Sequence, residues 1–158
     1  MRDNEQDMAT SARVTGIGRV LIVVYGFLAL AATGRSAVQI LTKFDEAPLA
    51  YSLSALAAVV YIVATVALVA PGRTAASHAA WYRVAWATIA FELLGVLVVG
   101  VLSIADPELF PHDTVWSVFG RGYVFVPLVL PVLGMAWLAR HRPAPATLPS
   151  APAAQRVA

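Results

Sequence analysis

Four apolar stretches, separated by short polar segments, make up most of the chain. They cover about residues 17–41, 49–69, 81–104 and 120–138. Each approaches or exceeds the about 20 residues with which an α-helix crosses the hydrocarbon core of a bilayer. The pattern therefore predicts an all-α membrane protein with four transmembrane helices, and the short connections favour an antiparallel bundle.

The composition supports a membrane location. Hydrophobic residues make up 59% of the 158 positions and charged residues only 13%, against roughly a quarter charged in soluble domains. The chain has no cysteine, which excludes disulfides and thiolate metal sites. Its net charge of +2 comes from basic residues scattered at the ends of the apolar stretches. That distribution indicates topology signals rather than a nucleic-acid surface, so no nucleic-acid partner is expected.

Two polar tails flank the predicted transmembrane domain, which covers residues 13–140. Residues 1–12 have no apolar periodicity, and residues 141–158 are rich in proline and alanine, so both are predicted to be disordered. A cleaved signal peptide is the alternative for the first stretch, since residues 29–31 have the small-x-small form of a cleavage site. The acidic start and the helix-compatible sequence beyond residue 31 favour a transmembrane helix.

Charge in the connections predicts the orientation of the chain. Basic residues precede the first stretch, separate the second from the third and follow the fourth: Arg13, Arg19, Arg73, Arg83, Arg140 and Arg142. The other two connections are mainly acidic: Asp45, Glu46, Asp106, Glu108 and Asp113. The positive-inside rule then places both termini in the cytoplasm.

The fourth stretch contains features that should bend it or cap it. Pro127 and Pro131 lie within it and are expected to bend a helix that opens with residues 120–123. Just before it, Asp113 is expected to cap a short interfacial helix through residues 115–119, because a carboxylate can accept from the free amides of a first turn.

Glu92 is a carboxylate near the middle of the third stretch, where an ionisable group costs about 2.5 kcal/mol or more and usually has a function. It belongs to a small or polar stripe at helical spacing: Thr88, Glu92, Gly95, Val99 and Ser103. The second stretch carries a matching stripe: Tyr51, Ser54, Ala58, Tyr61 and Thr65. Both stripes are predicted to face the interior of the bundle.

Two arginines on the outer side, Arg35 and Arg121, each require an anion. One hypothesis is that one of them reaches inward to Glu92, which would create a polar pocket. Its candidate residues are Glu92, Arg35, Arg121, Gln39, Tyr61, Thr88 and Tyr123. The alternative is that Glu92 is protonated and hydrogen-bonded to Tyr61 or Thr88, while both arginines extend to the lipid headgroups.

Patterns that would indicate an enzyme or a bound cofactor are absent from the sequence. The outer loop carries ligand-type side chains without a recognised metal-binding spacing, which favours a solvated acidic loop over a cation site: Asp106, Glu108, His112 and Asp113. All three histidines fall outside the apolar stretches, which argues against a haem in the membrane. There is no His-Glu-x-x-His run, phosphate-binding glycine loop or plausible triad, so neither catalysis, metal nor cofactor is expected.

Two parts of the chain carry a resemblance to a known group of proteins. The first covers residues 31–40 and 44–51, with Arg35, Gln39 and the Asp45-Glu46 pair. The second covers residues 115–131, with Arg121-Gly122-Tyr123. Together they resemble an uncharacterised family of small four-helix integral membrane proteins of actinobacteria. The resemblance implies a bacterial inner membrane and supplies no activity.

Two functions follow as hypotheses. Small size and short loops favour a non-enzymatic accessory or scaffolding subunit, which would pack beside a larger membrane complex or a second copy. The alternative is a small proton- or anion-linked transporter that uses Glu92 and the outer arginines, with the two prolines of the fourth helix as moving parts. A third possibility, an intramembrane enzyme acting on lipid, lacks a catalytic constellation.

Overall fold

The computed structural model describes the backbone of residues 2–70 and 74–142, and the side chains of residues 16–70, 74 and 76–142. Within those ranges the chain forms α-helices and 3-10 helices, and no strand. The α-helices are α1 (Arg2–Lys43), α2 (Pro48–Val69), α3 (Ala75–Ala105) and α4 (Val126–Arg140). The 3-10 helices are Phe44–Glu46, Pro107–Leu109 and Ser117–Tyr123.

The helices include three to four that could cross a membrane. Three stretches are long and apolar enough by themselves: Gly16–Glu46, Pro48–Val69 and Ala76–Ala105. A fourth crossing exists only if Ser117–Tyr123 and α4 form one span, although their axes differ by 98°. The chain therefore has the all-helical, apolar character that the sequence predicts for a multi-pass membrane protein.

The structure describes the two predicted tails to different extents. The backbone of α1 is helical from Arg2 onward, where the sequence predicts a disordered tail over residues 1–12, and α1 continues through residues 29–31 without a break. The side chains of residues 1–15 lie outside the described part. At the other end α4 stops at Arg140, and residues 143–158 of the predicted C-terminal tail are also outside the described residues.

Local sequence sets where α2 and α3 begin. Pro48 occupies the first turn of α2, as predicted, because a first-turn residue needs no amide hydrogen bond. Helix α3 begins at Ala75 rather than near residue 81, because the Thr74 side chain caps it by accepting from the Ser77 amide at 3.1 Å. Its 31 residues extend about 46 Å, longer than the about 30 Å hydrocarbon core.

The fourth apolar stretch is not the single bent helix that the sequence predicts. Residues 120–123 belong to the 3-10 helix, and Val124 and Phe125 then adopt left-handed φ angles of 55° and 59° before α4 begins. Pro127 lies in the first turn of α4 and only Pro131 lies inside it. The break therefore precedes both prolines, because left-handed residues end a helical path whereas a first-turn proline is tolerated.

The predicted cap at Asp113 does not form, and hydroxyl groups of the residues that follow it bind the amides instead. The Thr114 hydroxyl accepts from the amides of Trp116 at 3.0 Å and Ser117 at 2.9 Å, and the Ser117 hydroxyl accepts from the Thr114 amide at 2.9 Å. The two hydroxyls lie 3.1 Å apart. This reciprocal arrangement fixes the entry to the 3-10 helix, in the same way that a capping box fixes an α-helix start.

Helix packing places the predicted polar stripes inside. Helix α1 packs along α2, α3 packs against α2, α4 and the Ser117–Tyr123 segment, and α1 meets α4 only over a short stretch. The stripes predicted on α2 and α3 are buried or half-buried at every position. Large apolar side chains cover the opposite, exposed faces. The core therefore includes residues of both predicted stripes, together with one face of α1.

The helix ends gather into two groups of different charge. One pocket brings together Ala70, His78 and Arg142, and a second brings Ile17 beside Arg140. We call this group the basic end; its described arginine and histidine side chains are Arg19, His78, Arg83, Arg140, His141 and Arg142. The other group, the acidic end, contains the segments 43–46 and 106–113. There His112 Nε2 lies 3.5 Å from a carboxylate oxygen of Glu46.

Candidate functional site at Glu92

Glu92 lies close to the midpoint of α3 and is 0% exposed. Its Oε2 atom accepts a hydrogen bond of 2.7 Å from the Tyr25 hydroxyl on α1. Its second oxygen, Oε1, is buried and has no hydrogen-bond partner among the residues that the structure describes. The carboxyl group is therefore a polar link between α1 and α3 with one unused acceptor.

Tyr25 reaches Glu92 because it lies on the buried face of α1. That face follows helical spacing: Leu21, Tyr25, Leu28, Ala32 and Ser36. Gly134 of α4 helps to enclose it, since a Cβ atom there would lie 3.5 Å from the Tyr25 hydroxyl and 3.2 Å from Ile89 Cδ1. The lack of a side chain at Gly134 thus allows α4 to pack directly over the Tyr25–Glu92 pair.

A second hydrogen bond lies beside the first. The Trp116 indole Nε1 donates to the Tyr61 hydroxyl at 3.0 Å, and the Tyr25 and Tyr61 rings contact each other with centroids 6.4 Å apart. Trp116 packs on Gly95, where a Cβ would lie 2.6 Å from its ring. We call Tyr25, Tyr61, Glu92 and Trp116 the Glu92 cluster; it joins α1, α2, α3 and the segment before the 3-10 helix.

The predicted ion pair between Glu92 and an arginine does not form within the described part of the chain. Arg35 donates instead to the main-chain carbonyl of Asp113. It lies ten residues beyond Tyr25 on α1, which is about 15 Å along the helix axis. Arg121 is exposed, in the last turn of the 3-10 helix. Distance along α1 and exposure therefore separate both guanidinium groups from Glu92.

The remaining candidate residues do not form a single pocket with Glu92. Tyr61 bonds to Trp116 rather than to Glu92, and Thr88 lines a shallow groove between α2 and α3. Tyr123 is half-buried against the core. Gln39 lies one turn from Arg35, and both have a buried polar atom, Oε1 and Nε, without a partner among the described residues. The sequence hypothesis missed Tyr25, which is the actual partner of Glu92.

The acidic outer loop, for which the sequence favours a solvated loop over a cation site, contacts the loop before α2 and α2 itself. Besides approaching Glu46, the His112 ring stacks on Tyr51 with centroids 5.8 Å apart. Lys43 Nζ lies 3.9 Å from the same Glu46 oxygen. Within the described ranges, no three histidine, aspartate or glutamate side chains are grouped to hold a metal ion.

The Glu92 cluster contains one carboxyl group, two phenols and one indole. All four can form hydrogen bonds, and the carboxyl group can also bind a proton. In a membrane such polar links contribute about 0.6 kcal/mol on average and about 2 kcal/mol at most. Comparisons with protein-family models, curated proteins and solved structures found no match to this chain. A function must therefore be inferred from the chain's own geometry.

Proposed function

We propose that this chain is a non-enzymatic accessory or scaffolding subunit of a larger complex in the bacterial inner membrane. The observation that carries the proposal is the complete enclosure of Glu92. Glu92 is 0% exposed, and it is not among the residues that line the grooves at the basic and acidic ends or between α2 and α3. A carboxyl group that no solute reaches in this conformation serves better as a link between helices than as a substrate site. The partner is a membrane protein or a second copy.

The proposed architecture is a four-helix antiparallel bundle with both termini in the cytoplasm. The helix ends form a basic group and an acidic group. This separation supports the proposed orientation, because the positive-inside rule places the basic group in the cytoplasm. The fourth crossing consists of Ser117–Tyr123 and α4 together. The location in a bacterial inner membrane rests on the actinobacterial resemblance.

The outer face of α1 supports a packing role. Its exposed large apolar side chains occur over residues 20–30 and again near the end of the helix: Val20, Val23, Phe27, Leu30, Val38 and Leu41. Such a surface suits contact with lipid or with another transmembrane protein. No soluble segment interrupts the described part of the chain, so any interaction of this region takes place at the helix faces or the short loops.

One specific observation favours the alternative, a proton-linked carrier. Glu92 Oε1 has no partner among the described residues, and carboxyl groups within transmembrane helices are found in proton relays. The carrier hypothesis needs a route for water or substrate to Glu92. The scaffold hypothesis needs only the hydrogen bond to Tyr25.

Replacing Glu92 with glutamine separates the two functions. Glutamine keeps an acceptor for Tyr25 but cannot bind and release a proton, so we expect Glu92→Gln to leave assembly with the partner unchanged. The full chain is purified from its native membrane in mild detergent, and the partner-to-chain ratio is measured. Growth and pH-driven uptake are followed in the same strains.

A second substitution and a defined failure complete that experiment. Tyr25→Phe removes the hydroxyl donor and keeps the aromatic ring. It therefore tests the hydrogen bond while the Glu92 carboxyl group stays unchanged. The scaffold proposal is overturned if Glu92→Gln retains the partner yet abolishes pH-driven uptake, which would establish the carrier. It also fails if the native chain purifies as a monomer without a stoichiometric partner.

The orientation can be tested by labelling, because the chain has no cysteine of its own. Glu108 and Ala76 are both exposed, near the acidic and basic ends respectively. We expect a membrane-impermeant maleimide to label Glu108→Cys in intact cells, and Ala76→Cys only after the membrane is permeabilised. The opposite pattern would reverse the proposed topology.

A further inference from the structure

A groove of about 590 Å³ runs between α1 and α4 at the basic end. Its walls are mainly apolar: Gly16, Ile17, Val20, Leu21, Leu133 and Ala136. The groove exists because α1 and α4 meet only over a short stretch, unlike α1 and α2. Its volume lies within the about 300–1,000 Å³ of small-molecule sites.

Positive charge lies at one end of the groove. Arg140 and His141 line it, and Arg19 is exposed one turn or less from the α1 wall. Every charged side chain that the structure describes at this end is basic. The apolar groove with a cationic mouth matches the chemistry of an acyl chain joined to an anionic headgroup.

Trp137 also lines this groove. Its indole Nε1 is buried and has no acceptor among the described residues. The ring is held in place by stacking on His141, with centroids 4.4 Å apart, and by close packing on Gly18, where a Cβ would lie 3.0 Å from the ring. Trp137 therefore forms a fixed part of the groove wall.

The groove's length fits the part of a lipid nearest its headgroup. From Leu133 to Arg140 the α4 wall rises about 10 Å, roughly a third of the about 30 Å hydrocarbon core. Because Arg140 ends α4 at the basic end, the charged mouth lies at headgroup depth if the helix spans the membrane as proposed. The groove then holds the upper part of one acyl chain.

We propose that the α1–α4 groove binds an anionic phospholipid, with an acyl chain between Leu21 and Leu133 and the phosphate at Arg140. This site is distinct from the Glu92 cluster and does not depend on the identity of a protein partner. Its ligand class is set by the basic mouth, since a zwitterionic lipid has no net charge for Arg140 to attract.

Tryptophan quenching tests the site in the full chain. The protein is reconstituted in phosphatidylcholine vesicles that contain a small fraction of phosphatidylglycerol or phosphatidylcholine with brominated acyl chains. The Trp137 signal is the difference between the native chain and Trp137→Phe. We expect an apparent affinity for phosphatidylglycerol about fivefold higher than for phosphatidylcholine, the factor that one arginine near the surface supplies.

Three variants separate the groove from general surface charge. Arg140→Gln removes the charge at the mouth and is expected to abolish the preference. Ala136→Phe places a large ring in the groove and leaves all charges unchanged. It is also expected to abolish the preference for phosphatidylglycerol. Arg83→Gln is the matched control, because Arg83 is exposed at the same end but does not line the groove; it is expected to retain the preference.

Two outcomes overturn the proposal. Equal quenching by the two brominated lipids in the native chain would mean that the groove does not select an anionic lipid. The same result is expected if a terminal segment of the chain covers the groove. A preference that survives Ala136→Phe but not Arg140→Gln would assign the effect to surface charge alone. Circular dichroism and gel filtration of each variant establish that the fold is retained.

Discussion

Replacing Trp116 with alanine is expected to destabilise the protein by about 3–5 kcal/mol, the range for truncating a buried tryptophan. Trp116 is 1% exposed, packs on Gly95 and donates to Tyr61. The substitution therefore opens a cavity between α2 and α3 and leaves the Tyr61 hydroxyl without its donor. Packing supplies most of the effect, because a single polar link in a membrane contributes about 2 kcal/mol or less.

Unfolding of the purified chain in mixed micelles, followed by circular dichroism as the denaturing detergent is raised, measures this loss. Trp86→Ala is the matched control, because Trp86 is only partly buried at the edge of the core and should cost less. A Trp116→Ala variant within about 1 kcal/mol of the native chain would contradict the described packing, since truncating Phe or Trp in a core costs about 3 kcal/mol or more.

Gly95→Ala is expected to destabilise the chain by about 1–3 kcal/mol through overpacking. A Cβ at this position would lie 2.6 Å from Trp116 Cζ3, and the buried ring has little room to move. Gly34→Ala is the control: nothing lies within 4 Å of its Cβ position, so alanine should stabilise α1 by about 0.5–1 kcal/mol through helix propensity. The same substitution thus has opposite signs at the two glycines.

A double-mutant cycle shows whether the Gly95 effect comes from Trp116. In the Trp116→Ala background the added methyl group meets an empty space, so Gly95→Ala should be nearly neutral or stabilising. The same detergent titration measures both backgrounds. An equal penalty in the two would mean that Gly95 is required for a reason other than contact with Trp116, because contacting residues couple and independent ones do not.

The buried faces of α2 and α3 could be predicted because each carries a polar or small stripe on an otherwise apolar helix. Helix α1 gave no such contrast. Its buried face, with Leu21 and Leu28, is as apolar as the exposed face with Val23 and Leu30. Membrane lipid accepts either face, so hydropathy does not reveal which one turns inward, and Tyr25 was missed. The one signal for the contact in the sequence was a tyrosine at helical spacing among the apolar residues of α1.

The break before α4 could not be predicted from local propensity. Val118, Phe119, Val124 and Phe125 have positive φ angles, which bulky and β-branched residues rarely adopt. Tertiary contacts hold them there: Ser103 Oγ accepts from the Val118 amide at 2.8 Å. The residue that packs on Gly95 could not be predicted from the sequence either. It is Trp116, which lies in the segment before the 3-10 helix rather than on a neighbouring α-helix.

The burial of Glu92 was predictable from its place on the polar stripe of an apolar helix, but its partner was not. The sequence offers several candidate donors, and choosing among them needs the rotation and offset of α1 relative to α3. Arg35 and Arg121 were candidate partners because a positively charged side chain in a membrane requires an anion. In the structure the main-chain carbonyl of Asp113 accepts from Arg35, a partner that no side-chain pattern reveals.

Helix α4 has a further consequence for the bilayer. Its 15 residues reach about 22 Å, which falls short of the about 30 Å hydrocarbon core and creates a hydrophobic mismatch. In the proposed orientation the residues just before α4 must fill that shortfall. Hydroxyl groups from Thr114, Ser117 and Ser103 accept from the amides there. These three side chains satisfy the main-chain amides of residues 114 and 116–118, which lowers the cost of placing that part of the segment at membrane depth.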